Sequence, residues 1–211
     1  MRLLLALVAL SAASSAWGSV ILTAYPQSAN GGSTLNGTPP INVAGGFTMG
    51  GTASPLTSAK VQFGAVGIAQ FATSLVSADL YGGTGGATGT PTGSPLVSFV
   101  IPPGTIAGGA TDVTMTPASP FTLQASTSYW LVMHADPSVA GNLSVNTAPN
   151  PAAGAFATYS GFTQDGSLPP QSLTGANLLF EINGTPVPEP GAGCTIALSS
   201  ALLIRRRRGR R

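Results

Sequence analysis

The stretch Leu56-Thr57-Ser58-Ala59-Lys60-Val61-Gln62-Phe63 alternates, with Thr57, Ala59, Val61 and Phe63 on one side of an extended chain and Ser58, Lys60 and Gln62 on the other. Successive side chains of a strand point to opposite faces, so this run predicts a β-strand with one dry and one wet face. Residues 74–81 read the same way, Val76, Ala78 and Leu80 alternating with Ser77 and Asp79. Outward from these two runs, residues 20–25, 96–101, 112–116, 127–135, 142–146, 154–159 and 177–183 are further candidates, punctuated by Gly, Pro, Asn, Ser and Thr. About nine short strands at this spacing predict an all-β, antiparallel sandwich or barrel. The run Tyr129-Trp130-Leu131-Val132-Met133 is apolar on both parities, which predicts a central strand covered on both faces. The glycine-rich stretches 29–46 and 82–93 have little side chain to bury and read as exposed loops. The second is followed by Pro95 and another strand, without the helix and lysine of a phosphate-binding loop.

Composition narrows the class. Charged residues make up 7% of the 211-residue chain, against 28 glycines and 18 prolines, so the charged outer faces of a helical protein are not available. Seven of the eight basic residues sit at the two ends: Arg2, Arg205, Arg206, Arg207, Arg208, Arg210 and Arg211. Between residues 19 and 187 Lys60 stands against Asp79, Asp112, Asp136, Asp165 and Glu181, a net charge of −4. That distribution argues against a nucleic-acid partner, whose binders spread Lys and Arg over the folded surface. The only cysteine, Cys194, lies outside the body, which must therefore hold together by packing without a disulfide.

The two ends carry signals of a different kind. Met1-Arg2, an apolar run from Leu3 to Leu10 and small residues through Ala16-Trp17-Gly18 have the three parts of a secretory signal peptide, predicting a signal helix over residues 1–18 and cleavage after Gly18 or Ala16. At the other end Pro188-Glu189-Pro190 precedes the uncharged segment 191–204 and the basic cluster Arg205, Arg206, Arg207, Arg208, Arg210 and Arg211. The prolines lack donors for a sheet and leave an extended segment open to a processing enzyme. A helix of those 14 residues would be about 21 Å long, short of the roughly 30 Å of a bilayer core. Such a span is marginal, and the arginines would hold its end at anionic headgroups on the cytoplasmic side.

As a whole, residues 187–211 resemble the PEP-CTERM sorting signal, with Pro188, Glu189 and Pro190 matching its motif in place and order. The resemblance implies an exported protein of a Gram-negative-type bacterium that makes extracellular polysaccharide. It further implies transient attachment to the inner membrane through the tail and an exosortase-type processing enzyme as partner. The segment is more polar than usual, through Thr195, Ser199 and Ser200, and so reads as a transient address more than a permanent anchor. Within the body, Phe121, Leu123, Ala125, Thr127, Tyr129, Trp130, Leu131 and Met133 form a phrase that resembles the choice-of-anchor domains of bacterial exported proteins, over about residues 46–183. That resemblance implies a jelly-roll-like β-sandwich and assigns no activity. The expected organisation is a signal peptide (1–18), a β-sandwich domain (19–186) and a sorting tail with a short apolar helix (187–211).

Little in the body points to chemistry. His134 ends the apolar strand two residues before Asp136, but there is no second histidine in the chain and no Gly-x-Ser-x-Gly nucleophile turn, and the acids are scattered singly. His134 therefore reads as a strand-end residue, and Asp79, Asp112, Asp136 and Asp165 as acids that solvate strand ends and turns. No dense acidic run supports calcium. Asn36, Asn142 and Asn183 begin Asn-x-Ser/Thr triplets that read as turn sequence. Trp130, on a two-sided apolar strand, reads as core and not as a sugar platform. The expectation is a protein without catalytic residues, metal or cofactor, delivered to the envelope, outer surface or extracellular matrix. The alternative is a carbohydrate-binding module for secreted exopolysaccharide.

Overall fold

The computed structural model describes residues 19–35, 41–66, 70–86, 88–107, 110–136, 142–167, 169–170 and 177–185. The expected signal helix, the C-terminal helix, the motif Pro188-Glu189-Pro190 and the arginine cluster lie outside the described residues. So do Asn36 and Cys194.

Fifteen strands are present among the described residues: β1 (Ser19–Thr23), β2 (Gly31–Thr34), β3 (Asn42–Met49), β4 (Ser54–Val66), β5 (Gln70–Ala72), β6 (Val76–Gly83), β7 (Pro91–Val100), β8 (Thr105–Ala107), β9 (Thr111–Pro117), β10 (Thr122–Leu123), β11 (Ser128–Ala135), β12 (Asn142–Ala148), β13 (Ala157–Asp165), β14 (Asn177–Leu178) and β15 (Phe180–Gly184). One 3-10 turn, Thr73–Leu75, leads into β6. The fold is all-β and antiparallel, as the alternating runs required.

Two layers face each other. In the first, the strand order is β13-β3-β11-β6-β7; in the second, β1-β15-β4-β9, with β12 continuing along β4 beyond β15. The layers are joined on one side where Phe99 and Val100 of β7 pair with Pro117 and Thr116 of β9. On the other side Thr23 of β1 forms a bridge with Ala153, just before β13. The sheet is thus nearly closed on itself, with a sandwich- or barrel-like cross-section. Between the layers lies one continuous core, to which Phe47, Leu80, Leu131 and Phe162 contribute from the first layer and Val61, Phe63, Met115 and Ile182 from the second. With no disulfide in the body, this burial is the principal source of stability, at roughly 1.5–3 kcal/mol for each large side chain.

Strand β11 is central, between β3 and β6. Its Tyr129, Leu131, Met133 and Ala135 enter the main core, while Trp130 and Val132 face outward into a second cluster with Ala44 and Tyr81. Trp130 is fully buried there, as its two-sided apolar setting predicts.

Four expectations need correction. Residues 42–46 are not an exposed loop: they belong to β3, with Val43 and Ala44 fully buried. Glycine is used here for close approach, because a Cβ on Gly46 would lie 2.7 Å from the Trp130 ring. Residues 31–34 of the same stretch form β2, paired with β12. The stretch 82–93 likewise includes the end of β6 and the start of β7, and its Thr84 carbonyl accepts the Trp130 indole N–H at 3.0 Å. A missing side chain thus served packing of a neighbour, not solvent exposure. Thr57 is exposed and Leu56 buried, because an irregularity in the β15–β4 pairing between Asn183 and Gly184 switches the face at that point. Asn142 and Asn183 lie in strands β12 and β15 and not in turns.

Candidate functional site

The first group of polar side chains lies on the outer face of the second layer. Lys60 of β4 and Glu181 of β15 are cross-strand partners, with Nζ 3.4 Å from Oε2. Thr23 Oγ1 donates to the same carboxylate at 3.0 Å, and Asn183 Nδ2 donates to its other oxygen at 3.0 Å. The Lys60 ammonium sits 3.8 Å above the centre of the Tyr25 ring, whose hydroxyl donates to Asp112 at 3.1 Å. Gln62 Nε2 donates to the same Asp112 oxygen at 2.9 Å, and Gln62 Oε1 accepts from Asn146 Nδ2 at 3.0 Å. Burial, and after it the Asp112 carboxylate, push the Tyr25 phenol well above its usual pKa. Donors and acceptors here are spent on one another. The arrangement clips the segment after β1 onto β4 and β9, around a partly buried Lys60–Glu181 ion pair. Its role is structural.

The second group is more loosely joined. Pairing of β6 with β7 stops at Asp79↔Ser98, after which β7 leaves to pair with β9 across the layers. The two strands splay, and the wedge between them is a depression of about 390 Å³. Its floor comprises Val76, Ala78, Phe99 and Ile101; Ser74, Ser77, Ser98, Asp79 and His134 supply polar groups around it. His134 is a diagonal neighbour of Asp79 on the outer face, because β11 pairs His134 with Ser77 and Val132 with Asp79. The imidazole Nε2 lies 3.8 Å from Asp79 Oδ2, beyond hydrogen-bond reach, and Nδ1 is buried without a hydrogen-bond partner. Thr73, at the rim, is already committed, donating to the Pro102 carbonyl at 2.7 Å.

A further depression of about 360 Å³ lies beside residues 102–105 and 111–114. Its acid is Asp112, which already accepts from Tyr25 and Gln62. The wedge at His134 is therefore the candidate site.

Burial lowers the His134 pKa below its ordinary 6.5, against the upward pull of the Asp79 carboxylate. The folded protein thus disfavours the imidazolium, and the stabilisation this represents is complete above about pH 6.5 and declines as the pH falls through the lower folded value. Urea midpoints of the parent chain are expected to fall from pH 7 to pH 5 more steeply than those of His134→Gln. Parallel pH profiles for the two would show that His134 has the same pKa in the folded and unfolded states.

His134 stands at the strand end, as the sequence suggests, but the acid it meets is Asp79 and not the nearby Asp136. Asp79, Asp112 and Glu181 are each engaged at separate points of the surface. Among the described residues no three His, Cys, Asp or Glu side chains converge. The sorting-motif residues cannot be placed relative to the wedge, since they lie outside the described residues. The His134–Asp79 approach was hidden because it depends on the register of β11 against β6; the sequence showed only that Asp79 falls on the polar parity of its strand and that His134 ends a strand apolar on both.

No protein-family model matches the chain, and no curated protein matches it significantly.

Proposed function

We propose that this chain is an exported, noncatalytic protein of the cell surface or extracellular matrix, with a jelly-roll-like β-sandwich as its working body. Its C-terminal segment holds it briefly at the inner membrane and is cut by an exosortase-type enzyme at or near Pro188-Glu189-Pro190. The observation that carries this reading is the position of the body's ends. Strand β1 begins at Ser19 and β15 ends at Gly184; these two residues are cross-strand partners, and Ser19 Oγ donates to the Gly184 carbonyl at 3.1 Å. The signal-like and tail-like segments therefore join the body side by side, which suits a domain presented from one tethered pole. The jelly-roll-like description is supported by the chain's repeated crossing between layers, from β3 to β4, β9 to β11, β11 to β12, β12 to β13 and β13 to β15.

The test is terminal-peptide mass spectrometry of the protein recovered from the cell surface. The mature chain is expected to lack Arg211, and Glu189→Ala is expected to leave a membrane-held precursor with Arg211 intact. Finding Arg211 on most of the surface-located parent protein would overturn the processing step.

A second reading, a module that binds secreted exopolysaccharide, is favoured by one observation: the wedge at His134 is an open recess of about 390 Å³ lined by Ser74, Ser77, Asp79, Ser98 and His134.

A further inference from the structure

We propose that the wedge between β6 and β7 binds a single ring of a neutral sugar, taken from a chain end or a side branch. This inference rests on the reading of the body as a glycan-binding module and goes beyond it in naming the site and the class of sugar. Size comes first. At about 390 Å³ the recess lies near the low end of the range for small-molecule sites, roughly 300–1,000 Å³, which suits one ring more than an extended chain.

Charge decides between ligand classes. The polar groups at the wedge are the Asp79 carboxylate, the His134 imidazole and the exposed hydroxyls of Ser74, Ser77 and Ser98, with Thr73 at the rim. The one lysine of the body, Lys60, is held at Glu181 and Tyr25 on the other layer. A uronate, phosphate or sulfated sugar would therefore face Asp79 without a compensating Lys or Arg beside it among the described residues, which is unfavourable at close range. A neutral sugar presents hydroxyl donors instead. One hydroxyl placed between His134 and Asp79 would donate its proton to the carboxylate and accept from the imidazole Nε2–H, bridging a gap of 3.8 Å that the side chains do not close themselves. A charge-assisted bond to a carboxylate is among the stronger polar contacts available to a neutral ligand. The apolar floor at Val76 and Phe99 would receive the C–H face of the ring.

The strand geometry explains why the recess stays open. Beyond Asp79↔Ser98 the two strands no longer pair, because β7 is drawn across to β9. Closing the wedge would require breaking the link between the layers. The recess is thus preorganised by the same crossover that joins the sandwich, which limits the ordering cost of binding.

The experiment is a titration of the isotopically labelled full-length chain with glucose, galactose, mannose, N-acetylglucosamine and glucuronate, followed by amide NMR shifts, together with a glycan array. At least one neutral sugar is expected to bind with a millimolar Kd, moving the amides of Ser77, Asp79, Ser98 and His134, while glucuronate does not. Asp79→Asn keeps the shape and removes the charge, and is expected to weaken that binding about tenfold or more, the loss of one charge-assisted hydrogen bond. Ser98→Phe fills the recess from an exposed position and is expected to abolish it with the thermal midpoint preserved. If glycans on the array bind and both variants bind them as well as the parent does, the wedge assignment is overturned and the glycan-binding reading stands. If glucuronate binds as well as the neutral sugars, the assignment to neutral sugars is wrong. Absence of binding to every sugar and every array glycan overturns both.

Discussion

Trp130→Ala is expected to cost about 3–5 kcal/mol of stability, the range for removing a large buried aromatic. The indole is fully buried although it points away from the main core. On its own face it meets Ala44, Tyr81 and Val132, and it lies across the backbone of Gly46, its cross-strand partner on β3. The turn after β6 closes over it: Gly83 approaches so closely that a Cβ there would lie 2.6 Å from the ring, and Thr84 accepts the indole N–H. Within the turn Thr84 N–H donates to the Thr90 carbonyl and Gly89 N–H to the Gly86 carbonyl, and Gly85 packs closely against Thr48 and Ser128. Alanine would leave a void that the neighbouring glycines cannot fill, and the Thr84 carbonyl would turn to water. Urea denaturation should show the loss, and hydrogen exchange should show the amides of residues 83–90 deprotected at denaturant concentrations where β4 and β9 remain protected. A cost under about 1 kcal/mol, the scale of an ordinary surface change, would mean that the turn does not depend on Trp130.

Gly154→Ala is expected to open the seam of the sheet at a cost of about 1–3 kcal/mol, the usual range for forcing extra atoms into a packed site. The cause is backbone against backbone. A Cβ at this position would collide with the Ile21 carbonyl oxygen and lie 2.7 Å from Leu22 Cα, and neither atom can move by changing a rotamer. The adjoining bridge is made by Thr23 N–H to the Ala153 carbonyl at 2.8 Å and Ala153 N–H to the Thr23 carbonyl at 2.9 Å. Without it, β1 and β13 become free edges, and exposed edges recruit other chains. The variant should therefore lose amide protection at Thr23 and Ala153 and self-associate as its concentration rises. A variant that stays monomeric with both amides protected would show that the contact at Gly154 does not hold the seam.

The alternation in residues 56–63 and 74–81 and the doubly apolar run from Tyr129 to Met133 were enough to establish an all-β antiparallel body, because the period of a strand is local and water sorts its two faces. The same local rule misread residues 42–46 and the two ends of 82–93, where Gly82 and Gly83 finish β6 and residues 91–93 begin β7, while the turn between them is a loop as expected. A glycine says only that no side chain is present. Whether that space holds solvent or the ring of Trp130 depends on which strand lies alongside, and that is a long-range choice. The neighbouring bonds of Asp112 and Glu181 were equally out of reach, since their partners come from β1, β4 and β15 at opposite ends of the chain.

By itself, then, the sequence determined the strand-forming character of the body and the two-sided burial of β11, both properties of contiguous residues. Only the tertiary structure decided that Ser19 and Gly184 lie together, that His134 faces Asp79 and not Asp136, and that β6 and β7 part to leave the wedge. Each of these depends on strand register and on where a strand crosses between layers, which are set by packing the whole core at once.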